Sequence, residues 1–368
     1  MNLENIFNNK KVLVTGHTGF KGTWLSLWLK QLGADVTGIS IDIPSNLSHF
    51  KSLNLSEKMD DLRFDIRDIE VLKSTFKDLQ PDFVFHLAAQ ALVRPSYENP
   101  LETFTTNAIG SVNVLEALRV LDKPVVAVMI TSDKAYNNVE WPWGYRETDR
   151  LGGKDPYSAS KGMAELAIQS YVDSFYNESN SNVRLGVARA GNVIGGGDWA
   201  SDRIVPDCMK AWSRNETVDI RSPDSTRPWQ HVLEPLSGYL NLGADLYQNG
   251  SSHGEAYNFG PTSEQSHSVR ELIDEMANYW ANVRWNDISK SQNHLYEAGL
   301  LKLNCDKASF FLNWRPTLQF GETVRMTVDW YKQFYDNNNK NMYDFSMGQI
   351  YEYSELAKIR GINWAISD

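Results

Sequence analysis

Cysteine is nearly absent from this chain. The two present, Cys208 and Cys305, lie far apart and form no CxxC pair, which excludes a disulfide framework and a cysteine zinc site. Histidine is scarce too: seven residues, scattered singly, with no HExxH, so no metal is expected. No apolar run approaches the roughly 20 residues that span a bilayer, and the polar start, residues 1–11, lacks the apolar stretch of a secretory leader. Positive charge is in deficit, with 36 Lys and Arg against 46 Asp and Glu and a net charge of −10. A general nucleic-acid or acidic-membrane binder needs clustered cations and is excluded; one small basic pocket for a phosphorylated ligand is not. These absences leave a cytoplasmic globular protein with neither nucleic acid nor membrane as partner.

What is present is patterned. The 368 residues are 42% apolar and 22% charged, room for one large α/β unit and a smaller partner around a sizeable core. Residues 11–15 (KVLVT) form a β-branched run ending in Gly16, and an amphipathic stretch over 19–32 follows: strand, glycine turn, helix. Residues 35–41 give a second strand and 62–65 a short third, with helical spacing over 67–79. Residues 82–87 (DFVFHL) and 125–131 (VVAVMIT) are near-continuous apolar runs, the pattern of strands buried on both faces of a parallel sheet. Long helices are predicted over 100–121, with Pro100 suited to the first turn, and over 156–175, and another strand over 183–188. The alternation predicts a Rossmann-type doubly wound parallel sheet through residue 190. From Gly191 a loop rich in Gly, Asp and Arg (GNVIGGGDWASDR) leads into short mixed elements, and the last stretch reads as helical, best over 321–335. The expected division is 1–190 for a dinucleotide and 191–368 for a smaller mixed α/β substrate domain, some of whose segments cross back to the first.

Gly16-His17-Thr18-Gly19-Phe20-Lys21-Gly22 stands between the first strand and its helix. One glycine serves the tight turn, one the approach of backbone to pyrophosphate, one the close packing of helix on sheet. The helix start adds unpaired N–H groups facing the anion. Asp42, just past the second strand, either binds the adenosine ribose hydroxyls and disfavours a 2′-phosphate or is a solvated loop residue. Lys21 near the pyrophosphate partly offsets that preference. NAD is expected ahead of NADP.

Tyr157-Ser158-Ala159-Ser160-Lys161 puts a tyrosine and a lysine on one face at the start of a helix. Moving hydride from an alcohol requires a base for the hydroxyl proton, and free tyrosine, with a pKa of about 10, is protonated near neutrality. A neighbouring ammonium and a positive nicotinamide ring both favour the phenolate. With Thr131-Ser132 closing a buried strand, the set belongs to a hydride-transfer enzyme.

Seven segments carry a wider resemblance: GHTGFKGTWLSLWL (16–29), FDIRD (64–68), HLAAQALVRPSY (86–97), TSDKAY (131–136), DPYSASKG (155–162), ARAGNVIGGGDWASDR (188–203) and RPWQHVLEPLSGYL (227–240). They are similar to the extended short-chain dehydrogenase/reductases, and within these to the CDP-glucose 4,6-dehydratases, from residue 11 to about 314. The resemblance implies cofactor contacts from Gly16, Thr18, Gly19, Phe20, Lys21, Gly22, Asp42, Ala88, Ala89, Asn107, Tyr157 and Lys161, with Asp65 and Ile66 at the adenine. It implies substrate contacts from Gln90, Asn192, Arg203, Arg227 and Asn258, of which Asn192 and the arginines suit a pyrophosphate. By the same resemblance Ser132 binds the C4 oxygen and Asp133 is the general acid. Lys134 stands where relatives acting on dTDP-glucose carry a glutamate base. Ala135 departs from the cysteine common in close relatives.

A 4-epimerase oxidises C4 and returns the hydride to the opposite face, for which the tyrosine and a Ser or Thr suffice. A 4,6-dehydratase also removes the C5 proton and expels the C6 hydroxyl, which requires a base and an acid. Ser132-Asp133-Lys134 supplies both. Asp133 must keep its proton and Lys134 must lose one; burial favours both states and mutual ion pairing opposes them. The expected function is therefore an NAD-dependent hydro-lyase that turns CDP-glucose into CDP-4-keto-6-deoxyglucose for the deoxysugars of surface polysaccharide such as O-antigen. The rivals are a nucleotide-sugar 4-epimerase and a non-catalytic dinucleotide sensor, which has no use for Tyr157 and Lys161. His86 reads as structural, His231 as either core or ligand contact, and Trp199 and Trp229 as packing residues that can also wall a pocket. The family's helix-bundle dimer implies that 100–121 and 156–175 pair with their copies in a second subunit.

Overall fold

A computed structural model describes residues 3–177, 181–262, 264–290, 300–336 and 340–366. Seven strands, β1 (Lys11–Thr15), β2 (Asp35–Ser40), β3 (Asp60–Arg63), β4 (Phe83–His86), β5 (Val125–Ile130), β6 (Val183–Arg189) and β7 (Ala256–Asn258), form one sheet in the order β7-β6-β5-β4-β1-β2-β3. Every pairing in it is parallel. The central strands are apolar throughout because successive side chains enter opposite cores. Val12, Val14, Phe83, Phe85, Val126 and Val128 face one core, and Leu13, Val84, Ala127 and Met129 face the other.

Helices cover both faces, as the alternation of the sequence requires. On the first lie α1 (Phe20–Gln31), α6 (Leu233–Gln248), α7 (Phe320–Asp336) and α8 (Met342–Ile359). On the second lie α2 (Ile69–Leu79), α4 (Pro156–Tyr171) and a rod, α3, built from Pro100–Phe104, the π-helical turn Thr105–Ile109 and Gly110–Leu118. The remaining helix used below is α5 (Ile204–Trp212). The chain runs from β1 outward through β2 and β3, then returns to β4 beside β1 and continues the other way. That reversal opens a crevice at the carboxyl ends of β1 and β4, where such sheets take ligands.

Three differences from the sequence reading have physical causes. β3 begins at Asp60 rather than Leu62, because an edge strand only half buried carries little apolar alternation. β7 was not expected: three residues are too few for periodicity, and pairing with β6 alone defines it. The first long helix ends at Leu118, and both long helices contain a π turn, the second at Val172–Tyr176. Among the described residues no helix is long and apolar enough to cross a membrane. No group of three or more His, Cys, Asp or Glu among them is placed to hold a metal ion.

Candidate active site

Gly16 ends β1 at φ +78°, and a Cβ there would meet the Ala88 nitrogen at 2.7 Å. The loop after β4 therefore rests directly on the turn, and the Ala88 N–H donates to Thr15 Oγ1 at 3.2 Å. A Cβ on Gly22 would fall 2.1 Å from the Gly16 carbonyl oxygen, so α1 starts hard against β1. What remains is a bare backbone cradle at a helix start whose cap, Gly19, has no side chain to fill it. First-turn N–H groups at Phe20 and Lys21 lack intrahelical acceptors and suit a pyrophosphate. The cradle fits a dinucleotide. Behind it His17 is buried between Asp61 at 2.8 Å and Ser40 at 3.0 Å, and burial pushes its pKa down.

At the far end of the crevice, Thr18 Oγ1 donates to the Asp42 carbonyl at 2.6 Å and Arg63 donates to the same oxygen at 3.0 Å. Asp42 is thus anchored by its backbone, with its side chain exposed just beyond β2. Asp65 accepts from the Arg67 backbone N–H and from Arg67 Nε, both at 2.8 Å, and the guanidinium holds its carboxyl below the usual range. Ile66 is buried against Gly110, where a Cβ would meet its Cδ1 at 2.6 Å. Ala89 follows Ala88 in the half-buried loop.

Beyond β5 the backbone makes a shelf. Ser132 opens a 3₁₀ turn over Asp133–Ala135 by accepting the Lys134 N–H at 3.2 Å. Its hydroxyl donates to Asp133 Oδ1 at 2.9 Å, and Asn192 Nδ2 approaches Oδ2 at 3.5 Å. Gly191 closes the third side: a Cβ on it would lie 1.9 Å from Asp133 Oδ2. Asp133 is buried, Lys134 half-buried, and no ion pair within 4.0 Å joins them. Beneath the shelf, Thr131 donates to Glu165, which forms a buried ion pair with Arg189; Arg189 donates to the Tyr136 hydroxyl at 2.6 Å. This polar network, each member partnered, ties the shelf to α4 and β6.

Helix α4 presents the tyrosine and lysine. Asp155 caps it, accepting from Ser158 N at 2.9 Å and Ser158 Oγ at 2.6 Å, with Pro156 in the first turn. Tyr157 and Lys161 are 8% and 7% exposed. Burial pushes the Tyr157 phenol up, against a hydrogen bond with Ser132 that pulls it down. Burial brings Lys161 down to about 8, against the attraction of Glu165. Asn107, in the π turn of α3, donates to Ser160 Oγ at 2.9 Å and to the Gln90 carbonyl at 3.0 Å. It locks α4 to the loop after β4, a use typical of π turns near sites. The Lys21 ammonium lies 3.5 Å from the Tyr239 hydroxyl, in the field of Asp133 on the shelf. Burial brings it down to about 8, against the pull of Asp133.

The expected substrate contacts divide. Asn192, at φ +53°, borders Asp133. Arg203 opens α5, pairs with Asp198 at 2.7 Å and lies in the field of Tyr157. Arg227 donates to the Thr226 carbonyl at 2.8 Å from the short strand Thr226–Arg227. Gln90 and Asn258 spend their amides within the protein. The Gln90 amide donates to Leu92 O and Thr103 Oγ1 and accepts from Leu92 N. Asn258 donates to Tyr145 O and Asn304 O and accepts from Tyr136. Both brace loops with their own amides. His86 is structural, set between Thr15 and Ser111, and His231 is a fully buried core residue. Trp199 packs on Trp330 and Phe334, and Trp229 donates to the His267 carbonyl. Sequence reasoning passed over Gly191, Gln230, Glu165 and Tyr239; only Gly191, directly after a strand in ARAGN, left a local signal.

Comparison with known proteins matches residues 13–327 to the family model described as GDP-mannose 4,6 dehydratase. The chain is 47% identical over 333 residues, 89% of its length and 92% of the relative's, to CDP-glucose 4,6-dehydratase of Salmonella typhimurium. It is 26% identical to UDP-glucose 4-epimerase of Mycoplasma pneumoniae, over 89% of this chain and 98% of that one. Among solved structures, an epimerase of Methanothermobacter thermautotrophicus superposes with a TM-score of 0.74 at 24% identity, covering 92% of this chain and 97% of that one. The dTDP-glucose 4,6-dehydratase of Bacillus anthracis, in complex with NAD, superposes with a TM-score of 0.72 at 19% identity, covering 92% and 99%. At these identities the structures speak for the fold.

Proposed function

Because this chain belongs to the GDP-mannose 4,6-dehydratase family among the extended short-chain dehydrogenase/reductases, we propose that it binds NAD and CDP-glucose in this crevice and releases CDP-4-keto-6-deoxyglucose. When bound, NAD supplies the acceptor for the C4 hydride and the donor that returns it to C6. Tyr157 takes the C4 hydroxyl proton, with Ser132 at the same oxygen and Lys161 favouring the phenolate. The resulting C4 ketone acidifies the C5–H bond. Lys134 removes that proton while Asp133 protonates the departing C6 hydroxyl, and one water leaves; as the hydride returns to C6, Lys134 gives a proton back to C5, so substrate and product differ by that water alone. Asn192, Arg203 and Arg227 hold the pyrophosphate.

The observation that carries this reading is the shelf. A 4-epimerase needs nothing where Asp133 and Lys134 stand, and here the acid position is walled by Ser132, Asn192 and Gly191. Isotopes test it. CDP-glucose deuterated at C4 should give product labelled at C6, and reaction in heavy water should place deuterium at C5. Label returned to C4 with inverted configuration would make the protein an epimerase.

Two further features complete the proposal. The protein is a homodimer through α3 and α4, whose outer faces leave Leu101 75%, Ile109 49%, Met163 46% and Leu166 63% exposed; a self-complementary apolar face of this kind closes by two-fold pairing. It works in the cytoplasm, a compartment that suits its two free thiols, Cys208 and Cys305.

A further inference from the structure

Gln230 lies in the two-residue strand Gln230–His231, which pairs in parallel with Val193–Ile194. It is 2% exposed. Its backbone N–H donates to the Asn192 carbonyl at 3.2 Å. Its side-chain Nε2 donates to the Gly191 carbonyl at 2.9 Å and the Phe259 carbonyl at 3.0 Å. Two carbonyl partners fix which end of the amide is nitrogen, since the flipped group would set oxygen against two oxygens. The other atom is therefore Oε1. It is buried, and among the described residues nothing donates to it. A buried acceptor left in this way is costly and calls for an explanation.

The place of this oxygen identifies the donor. Gln230 lines a narrow cleft together with Asp133, Asn192, Thr262, Gln265 and Lys302. The carbonyl it holds belongs to Gly191, the residue packed against the Asp133 carboxylate. Acid and acceptor are thus parts of one braced unit. Given the dehydration of CDP-glucose proposed above, on which this inference rests, the group beside Asp133 is the hexose. Its C1 oxygen carries the pyrophosphate, the C5 oxygen closes the ring, the C4 hydroxyl belongs to Ser132 and Tyr157, and the C6 hydroxyl to Asp133. Only the C2 and C3 hydroxyls remain to donate.

We propose that Gln230 Oε1 accepts a hydrogen bond from the C2 or C3 hydroxyl of the hexose and so sets the sugar against Asp133. Because the acceptor is tethered to the wall of the acid, the contact acts on orientation as well as on binding. Its loss lowers kcat together with kcat/KM.

The test compares CDP-glucose with its 2-deoxy, 3-deoxy, 2-fluoro and 3-fluoro analogues on the unmodified enzyme. Fluorine fills the space of the hydroxyl and cannot donate. One position, as deoxy and as fluoro alike, should lose on the order of 10- to 100-fold in kcat/KM, and which position it is assigns the hydroxyl. In Gln230→Leu, or Gln230→Met if the leucine variant fails to fold, the same analogue should fare within about threefold of CDP-glucose, since the partner has gone. Analogues all processed within about threefold by the unmodified enzyme would overturn the inference, as would a variant that keeps the discrimination. The unmodified enzyme suffices for the first of these outcomes. Failure to turn over CDP-glucose itself would instead bring down the dehydratase reading, a result distinct from turnover without discrimination.

Discussion

Gly191→Ala tests the geometry of the shelf with one methyl group. The backbone at this position lies outside the left-handed region, so alanine is not strained by φ. Space is the obstacle: the new Cβ would lie 1.9 Å from Asp133 Oδ2 and 2.1 Å from Asp133 Cγ. Ordinary contact begins near 3.4 Å, so the nearer carboxylate oxygen must retreat by about 1.5 Å if residue 191 stays put. It does stay put, because Gln230 grips its carbonyl at 2.9 Å. A misplacement of about 1 Å in a reacting group costs on the order of 10²-fold in rate, and overpacking a buried site costs about 1–3 kcal/mol of stability. The expected variant is therefore folded, somewhat less stable and about 10²-fold slower in releasing 4-keto product, read by its alkaline absorbance. NAD affinity should be unchanged, since the cradle of Gly16, Gly19 and Gly22 is untouched. Gly348→Ala, exposed on α8 with nothing within 4 Å of its Cβ position, is the control for handling and expression. A Gly191→Ala enzyme within threefold of the parent rate would refute the argument that Asp133 must sit where it does.

Other consequences can be measured separately. Tyr157→Phe should lose about 10²–10⁴-fold in kcat with an unchanged circular dichroism spectrum; near-normal turnover would remove the tyrosine from its role. Lys161→Met should abolish activity yet stabilise the free protein below pH 8, by an amount on the order of 3 kcal/mol at most. The native ammonium is pushed down to about 8 by burial, so between 8 and about 10.4 the unfolded chain binds more protons and the parent gains stability as pH rises. Urea melts of the pair at pH 7 and pH 10 should therefore converge; a gap that widens with pH contradicts the sign. The parent should sediment as the proposed dimer at micromolar concentration and Leu166→Glu, on the exposed face of α4, as a monomer; a parent that is already monomeric there would dismiss the interface.

How much of this was legible in the sequence depends on the range of the interactions involved. The sheet, its helices and the glycine turn declare themselves through local patterns, because burial on both faces makes Val12–Val14 and Val125–Ile130 unbroken apolar runs. Tyr157 and Lys161 follow from a spacing within one helix. Asp133 and Lys134 were visible as residues, but not their separation or the walls around the acid. Those walls come from residues 58 and 59 positions away in the chain, Gly191 and Asn192, and from Gln230 behind them. Other expected contacts depend on the fold in the same way. Gln90 and Asn258 have amides that any pocket welcomes, yet each is occupied by backbone groups that only the fold brings near. Lys21 has a position set by the turn, but a long side chain whose direction depends on Tyr239 and Asp133.

The adjacency of acid and base is itself explained by the turn that carries them. Opposite charges on neighbouring residues would ordinarily pair, and a paired Asp133 and Lys134 would face each other instead of the two positions that the proposed elimination asks them to reach. In a 3₁₀ turn successive side chains are about 120° apart around the axis. Asp133 is directed into the niche made by Ser132, Asn192 and Gly191, while Lys134 is left half-buried on another side with no ion pair to its neighbour. Ser132 sets this division by capping the turn with the same hydroxyl that contacts Asp133. The step that separates dehydration from epimerisation thus depends on a single tight turn at the end of β5. The second half of the chain contributes the niche, and on the proposed reading the tyrosine, lysine and glycines do the work common to both reactions.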